Sequence, residues 1–470
     1  MDTAKTGLKQ VNHTQIVRWV IALLTLFVYV SFFVADGVVM GVDTPGYINK
    51  ALSREMGYAL WIQLFRMIFG EAGYAVAVVI CQFSISAAVT CIFTFAIADI
   101  YKVKPFSEFV IWGVQIFFLM LCRFGSGLQA IYPSTVLTEG LTYSLYFLFV
   151  KAILQLNRQY SAKRAIEVTV YCVLMMLIRT QLAVGFMGVM AFFFFKAFFK
   201  QFPWKKWFFL VGLSVTGMAA VLLCGKLYTK AVHGVFTGTV GSSSFTIVSG
   251  LYGADEEDEN LFETEEERRI FVELYDRCME QGLNYKNAPA EGMFAAVNYY
   301  CNQFDLIKFG TVMPYFSEYL IEQGITDPVQ NEIAIDEWSR KLGVPLLKDN
   351  IGIKLQVFAQ DIFRSLMRTI GKASALLVVP IAIVYLAYLG LMTLGFWRKE
   401  KGNTAWGALF VLIMMLGNIA ATCFMIFGEP RYLLYNMVPF YTMGYLMLRE
   451  AWVARKEKKH DSSTLLNHME

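Results

Sequence analysis

Asp43 stands in the segment Gly41-Val-Asp-Thr-Pro-Gly-Tyr47, where Pro45 and Gly46 form a turn that stops a helix from running through. A carboxylate held on such a turn at the edge of an apolar run can take a proton from a hydroxyl or ligate a metal. The same residue type also caps short helices, and the spacing leaves both uses open. Other ionisable groups stand near the ends of apolar runs: Asp36, Glu139, Arg179, Glu429 and Arg431, with Arg123 closing a third run. Charge at membrane depth is expensive and points by default to function. A separate set, Arg364, Arg368 and Lys372, is spaced four apart and makes one basic stripe if helical. Such a stripe can gather anionic lipid carriers, or its members can snorkel as plain anchors.

The elements that must position these groups are membrane helices. Of 470 residues 57% are hydrophobic, 16% aromatic and 17% charged, against about 25% charged in a soluble domain. The apolar residues collect in blocks long enough to cross about 30 Å of hydrocarbon, and only helices satisfy a backbone there. Ten spans are predicted, at 16–35, 74–100, 106–122, 134–154, 166–178, 182–199, 207–224, 373–396, 406–427 and 432–448. The block 58–69 is too short to cross and reads as an interfacial helix. The expected fold class is therefore an all-α polytopic membrane protein of about ten transmembrane helices. It has interfacial helices on the outer surface and one mainly helical extracytoplasmic domain.

Charge gives the orientation. With the N-terminus in the cytoplasm, the inner segments hold about 21 Lys and Arg and the short outer loops about 6, which favours both termini inside. The organisation is then a cytoplasmic tail at 1–15 and an N-terminal membrane module of about seven helices at 16–224, with its first outer loop at 36–73. An extracytoplasmic domain at 225–372, a three-helix module at 373–448 and a basic cytoplasmic tail at 449–470 follow. The tail reads as a topogenic anchor beside anionic lipid, not as a nucleic-acid site. Within the outer domain, residues 237–244 read as a flexible Gly-Ser loop and 255–267 as an acidic run before an amphipathic segment. Cys278 and Cys301 lie there, and pairing between them is left open. The eight cysteines form no zinc or redox motif, the four histidines do not cluster, and no Walker-type phosphate loop occurs, which argues against an ATP-driven pump.

These residues resemble the GT-C class of polyprenyl-phosphate-sugar-dependent glycosyltransferases, in the branch of protein mannosyltransferases and their bacterial relatives. Four places carry the resemblance, mainly within the first 180 residues. A single span is followed by an outer loop with Asp43 and Tyr47. Gly57-Tyr-Ala-Leu-Trp-Ile-Gln-Leu-Phe-Arg-Met-Ile-Phe-Gly70 is similar to the family's Gly-Tyr-Pro-Leu stretch, with Ala59 for Pro. Pro133-Ser-Thr-Val-Leu-Thr-Glu139 resembles the Pro…Ser-Glu opening of the fourth span, and Ile178-Arg179 a later Val-Arg pair. Thr44 follows Asp43 where the family has a second acid. A divalent metal is thus left open and would rest on Asp43; no other cofactor is implied.

The resemblance implies a sugar donor on a polyprenyl phosphate, presented from the outer leaflet of a bacterial plasma membrane, and a glycan, lipid or protein acceptor. Asp43 would serve as general base, with inversion at the anomeric carbon. Arg179 and Arg431 would bind the leaving phosphate, since a planar guanidinium bonds two oxygens, with Arg364, Arg368 and Lys372 as further cations. Glu139, Tyr47 and Asp36 would position the acceptor, and Glu139 is also placed to pair with an arginine. Two other readings stand beside this one: an O-antigen-type polymerase or ligase, which depends on outer arginines, and a lipid or solute transporter.

Overall fold

The computed structural model describes residues 2–125, 127–368, 374–398 and 402–467. The apolar blocks fold as helices α1 (Asp2–Asp36), α3 (Met56–Tyr101), α4 (Pro105–Gly125), α5 (Glu139–Arg158), α6 (Ala162–Ile178), α7 (Val184–Phe198) and α8 (Trp204–His233), with the short α2 (Thr44–Ile48) on the first loop. An inserted helical unit follows: α9 (Ser243–Gly253), α10 (Glu265–Glu280), α11 (Ala295–Asp305), α12 (Met313–Glu322), α13 (Pro328–Asp349) and α14 (Ile351–Met367). The chain then returns to the bundle through α15 (Val378–Trp397), α16 (Gly402–Met425) and α17 (Pro430–Asn467). Among the described residues there is no strand, only one isolated parallel bridge between Val39 and Thr135.

The chain is an all-helical polytopic membrane protein. Seven segments among the described residues are long and apolar enough to cross a bilayer. Their exposed faces are apolar: Leu23, Phe27 and Val34 on α1, and Val379, Ile383 and Leu386 on α15, lie open, as they must where lipid replaces water. Three of the ten expected spans are helical but are not among the seven. α6 has only 17 residues. α5 and α17 bury polar groups such as Glu139, Thr142, Asn436 and Thr442, because they run through the protein interior and not along the lipid.

α3 joins the expected interfacial block to the second span, and the two are separated by a backbone break at Gly70 (φ 67°, ψ −178°), a conformation open mainly to glycine. Its first turn lies tight against the end of α6. A Cβ on Gly57 would sit 2.6 Å from the Leu177 carbonyl oxygen, two residues before Arg179. Gly57→Ala is therefore expected to cost about 1–3 kcal/mol and to lower the melting temperature in detergent, whereas Gly113→Ala, with nothing within 4 Å, should be neutral or slightly stabilising.

The inserted unit has its own core, built on Ile247, Leu251, Phe271, Leu274, Phe304 and Phe316. Residues 237–244, expected as a flexible loop, are instead tied down. Val240 N donates to Leu52 O at 3.2 Å, and Asp336 accepts from Gly241 N, Ser243 N and Ser243 Oγ at 2.8, 3.0 and 3.1 Å. The acidic run is used for capping: Asp255 and Thr264 each begin a helical turn with a reciprocal capping box. Cys278 and Cys301 are free thiols.

Candidate functional site

The first loop is held by main-chain and hydroxyl bonds. Val39 N donates to Ser134 O, Val136 N donates to Val39 O, both at 2.9 Å, and Thr44 Oγ1 donates to Val136 O at 2.9 Å. This fixes the Asp43 turn against the segment that leads into α5. Asp43 precedes α2, yet its side chain makes no capping bond; of the two uses the spacing left open, capping is not the one adopted. Its Oδ1 lies 2.7 Å from Arg54 Nη2 and its Oδ2 3.7 Å from Arg431 Nη1. Among the described residues Oδ2 accepts no hydrogen bond. Burial disfavours the Arg54 cation, but Asp43, Tyr47 and Glu55 together offset this and the Arg54 pKa is raised.

Glu139 opens α5 and is buried. Gly140 lets Gln82 pack where a Cβ would meet its amide at 2.5 Å. Gln82 in turn donates to Pro133 O and Thr135 O at 3.1 and 2.9 Å and accepts from Tyr58 OH at 3.0 Å. Opposite stands Arg179, at the frayed end of α6, with Nη1 2.9 Å from Glu139 Oε1. Its guanidinium lies 4.0 Å from the Tyr432 ring centroid, and that of Arg431 lies 4.6 Å from the same centroid, a cation–π arrangement that one aromatic ring offers to both. Arg431 also bonds Glu429 Oε2 and Tyr432 OH, each at 2.5 Å. Asp43, Arg431, Tyr432, Arg179 and Glu139 thus form one continuous chain of contacts.

Several expected site residues have other work. Asp36 is fully buried in its ion pair with Arg123 at 2.7 Å and accepts from Ile131 N at 2.9 Å. It is a strut under the segment before α5, with no surface left for an acceptor. Tyr47 is buried, with its ring 5.1 Å from that of Tyr58 and its hydroxyl 3.5 Å from Glu55 Oε2; it supports the loop from beneath. Arg364 does not lie on an open stripe. It is buried against Asp361 at 2.6 Å and donates to Asn298 Oδ1 and Cys301 Sγ at 2.9 and 2.8 Å. Asp361 Oδ2 accepts from Gly428 N at 2.7 Å, and Arg368 Nη1 donates to Gly428 O at 2.5 Å. Arg364 and Arg368 thus dock α14 on the Gly428 loop rather than facing a phosphate. Lys372 lies outside the described residues.

Composition and spacing missed Arg54, whose guanidinium holds Asp43 Oδ1. Arg54 looked like one more loop charge. The residues around Asp43 do not suit a divalent metal. Its carboxylate faces two guanidiniums, and no group of three His, Cys, Asp or Glu is placed to hold an ion among the described residues.

No protein-family model, curated protein or solved structure matches the chain. Fold and site define a class: a polytopic helical membrane protein with a connected acid–arginine array at one end of the bundle.

Proposed function

We propose that the chain is a GT-C-class glycosyltransferase that moves a sugar from a polyprenyl-phosphate carrier to an acceptor hydroxyl at the outer face of the plasma membrane. In this reading the ten helices cross the bilayer with both termini inside, and the inserted unit stands outside. The observation that carries it is Asp43 Oδ2, an acceptor oxygen with no hydrogen bond among the described residues, set 3.7 Å from Arg431. Arg54 holds the other oxygen, so the carboxylate is oriented.

The acceptor hydroxyl gives its proton to Asp43 Oδ2 as its oxygen bonds the anomeric carbon. The bond from that carbon to the phosphate oxygen breaks from the opposite side, with inversion, and its electron pair leaves on the phosphate. Arg431 neutralises the polyprenyl phosphate so formed, and a cation that strengthens its hold as charge builds speeds the step. Arg179, fixed by Glu139 and stacked on Tyr432, sets the position of the shared ring.

The direct test is incubation of the purified protein with lipid-extracted polyprenyl-phosphate sugars and candidate acceptors, with products read by mass. A glycosylated acceptor together with free polyprenyl phosphate is the expected result. Solute release from sealed vesicles with no glycosidic product would overturn the reading in favour of transport.

A further inference from the structure

At the end of the bundle opposite Asp43, a cavity of about 670 Å³ opens where α3 and α5 end and α6 begins. Ala96, Asp99, Gln155, Arg158, Gln159 and Arg164 line it, and its size suits a small ligand or a headgroup. Arg158 donates through Nη1 to the carbonyl oxygens of Asp99, at 3.2 Å, and Ile100. Arg164 also donates through Nη1, to Gln155 O at 3.2 Å, Gln159 O at 2.8 Å and Gln159 Oε1 at 3.3 Å. Both arginines thus satisfy carbonyls at a helix end, and that use takes one nitrogen of each. Among the described residues neither Nε nor Nη2 of either side chain makes a hydrogen bond, and neither guanidinium has a carboxylate within ion-pair distance.

Nε and Nη2 form the edge by which a guanidinium grips two oxygens of one phosphate. The acid in the lining does not compete for it, because Asp99 is paired to Arg18. Two fixed cations therefore face the cavity uncancelled, and the amides of Gln155 and Gln159 beside them can meet hydroxyl or ester oxygens. Lys102, Lys104 and Lys163 stand exposed around this end and add to the attraction for anions. The adjoining surface is apolar. Ala88 and Ile92, eight and four residues before Ala96, share its face of α3 and are exposed. Ile166 and Val170 on α6 are exposed as well. Such faces meet hydrocarbon, so the cavity opens at the depth of the phospholipid headgroups. A free anion would leave the apolar face of α3 unused, whereas an anionic lipid covers it with an acyl chain.

We propose that this cavity binds the phosphodiester headgroup of an anionic phospholipid, held by the free guanidinium edges of Arg158 and Arg164, with an acyl chain along Ala88 and Ile92. The lipid ties together the ends of α3, α5 and α6. Under the topology proposed above it belongs to the cytoplasmic leaflet. The site stands apart from the Asp43 array and holds whether or not the chain transfers a sugar.

The test titrates full-length protein in neutral detergent with phosphatidylglycerol and counts bound lipid by native mass spectrometry. Phosphatidylcholine is the zwitterionic probe and glycerol 3-phosphate the free anion. Phosphatidylglycerol should bind in preference to both and raise the melting temperature. The double variant Arg158→Gln with Arg164→Gln should weaken its binding by about tenfold or more. Arg158→Lys with Arg164→Lys keeps the charge but loses the planar edge, and binding should still fall. Ala96→Phe leaves both arginines in place and fills the cavity from the other wall; it too should block the lipid, which covers the case in which the arginine variants fail to fold. Lys102→Gln with Lys104→Gln removes as much charge from the exposed surface and should weaken binding far less. Equal binding of phosphatidylcholine, displacement of the lipid by an equal concentration of glycerol 3-phosphate, full binding in Ala96→Phe, or an equal loss in the lysine variant would each overturn the proposal.

Discussion

Asp43→Asn is expected to lower sugar transfer by about a thousandfold, within the range a positioned general base supplies, with little change in membrane insertion or melting temperature. The amide keeps the size of the side chain and can still accept from Arg54 through its oxygen. It cannot take a proton from an attacking hydroxyl, and it removes the negative charge that reaches both Arg54 and Arg431. The measurement is product formation by mass, read beside thermal unfolding of the same preparation. Because Asp43 makes no capping bond, loss of fold is not the expected route to inactivity. Full activity in Asp43→Ala alongside loss in Arg431→Ala would remove Asp43 as base and point to a polymerase or ligase instead.

Much of this array was legible because membrane helices alternate in direction. Once the spans are placed, ionisable residues at span ends must fall at one end of the bundle or the other. Asp43, Glu139, Arg179 and Arg431 fall together for that reason, and the contacts run from one to the next. The opposite end gathers ordinary flanks: Arg18 reaches Asp99 and Glu108, and Lys196 reaches Asn157. What spacing could not give was how the charges pair. Asp36 and Arg123 close two different helices and cancel each other, and nothing local shows that they meet. The fourfold spacing of Arg364 and Arg368 placed them on one face without showing that the face is buried; Asp361, three residues before Arg364, was the local hint of a partner.

The Glu139–Arg179 pair separates structural from functional charge, since both uses predict that losing it is severe. It is largely buried, with side-chain exposures of 4% and 13%. Glu139→Gln leaves the Arg179 guanidinium without its carboxylate, and Arg179→Met leaves the Glu139 carboxylate without its cation. Each should cost about 3–5 kcal/mol of stability, the usual penalty for an uncompensated buried charge. The double variant Glu139→Met with Arg179→Met removes both charges and fills similar volume, so most of that stability should return. Transfer should not return with it, because Tyr432 would lose the stacked guanidinium that sets its ring beside Arg431. The expected pattern is a recovered melting temperature with transfer still depressed by about a hundredfold. A double variant that melts and transfers as the wild type does would make the pair a strut and leave Arg431 to meet the phosphate without it.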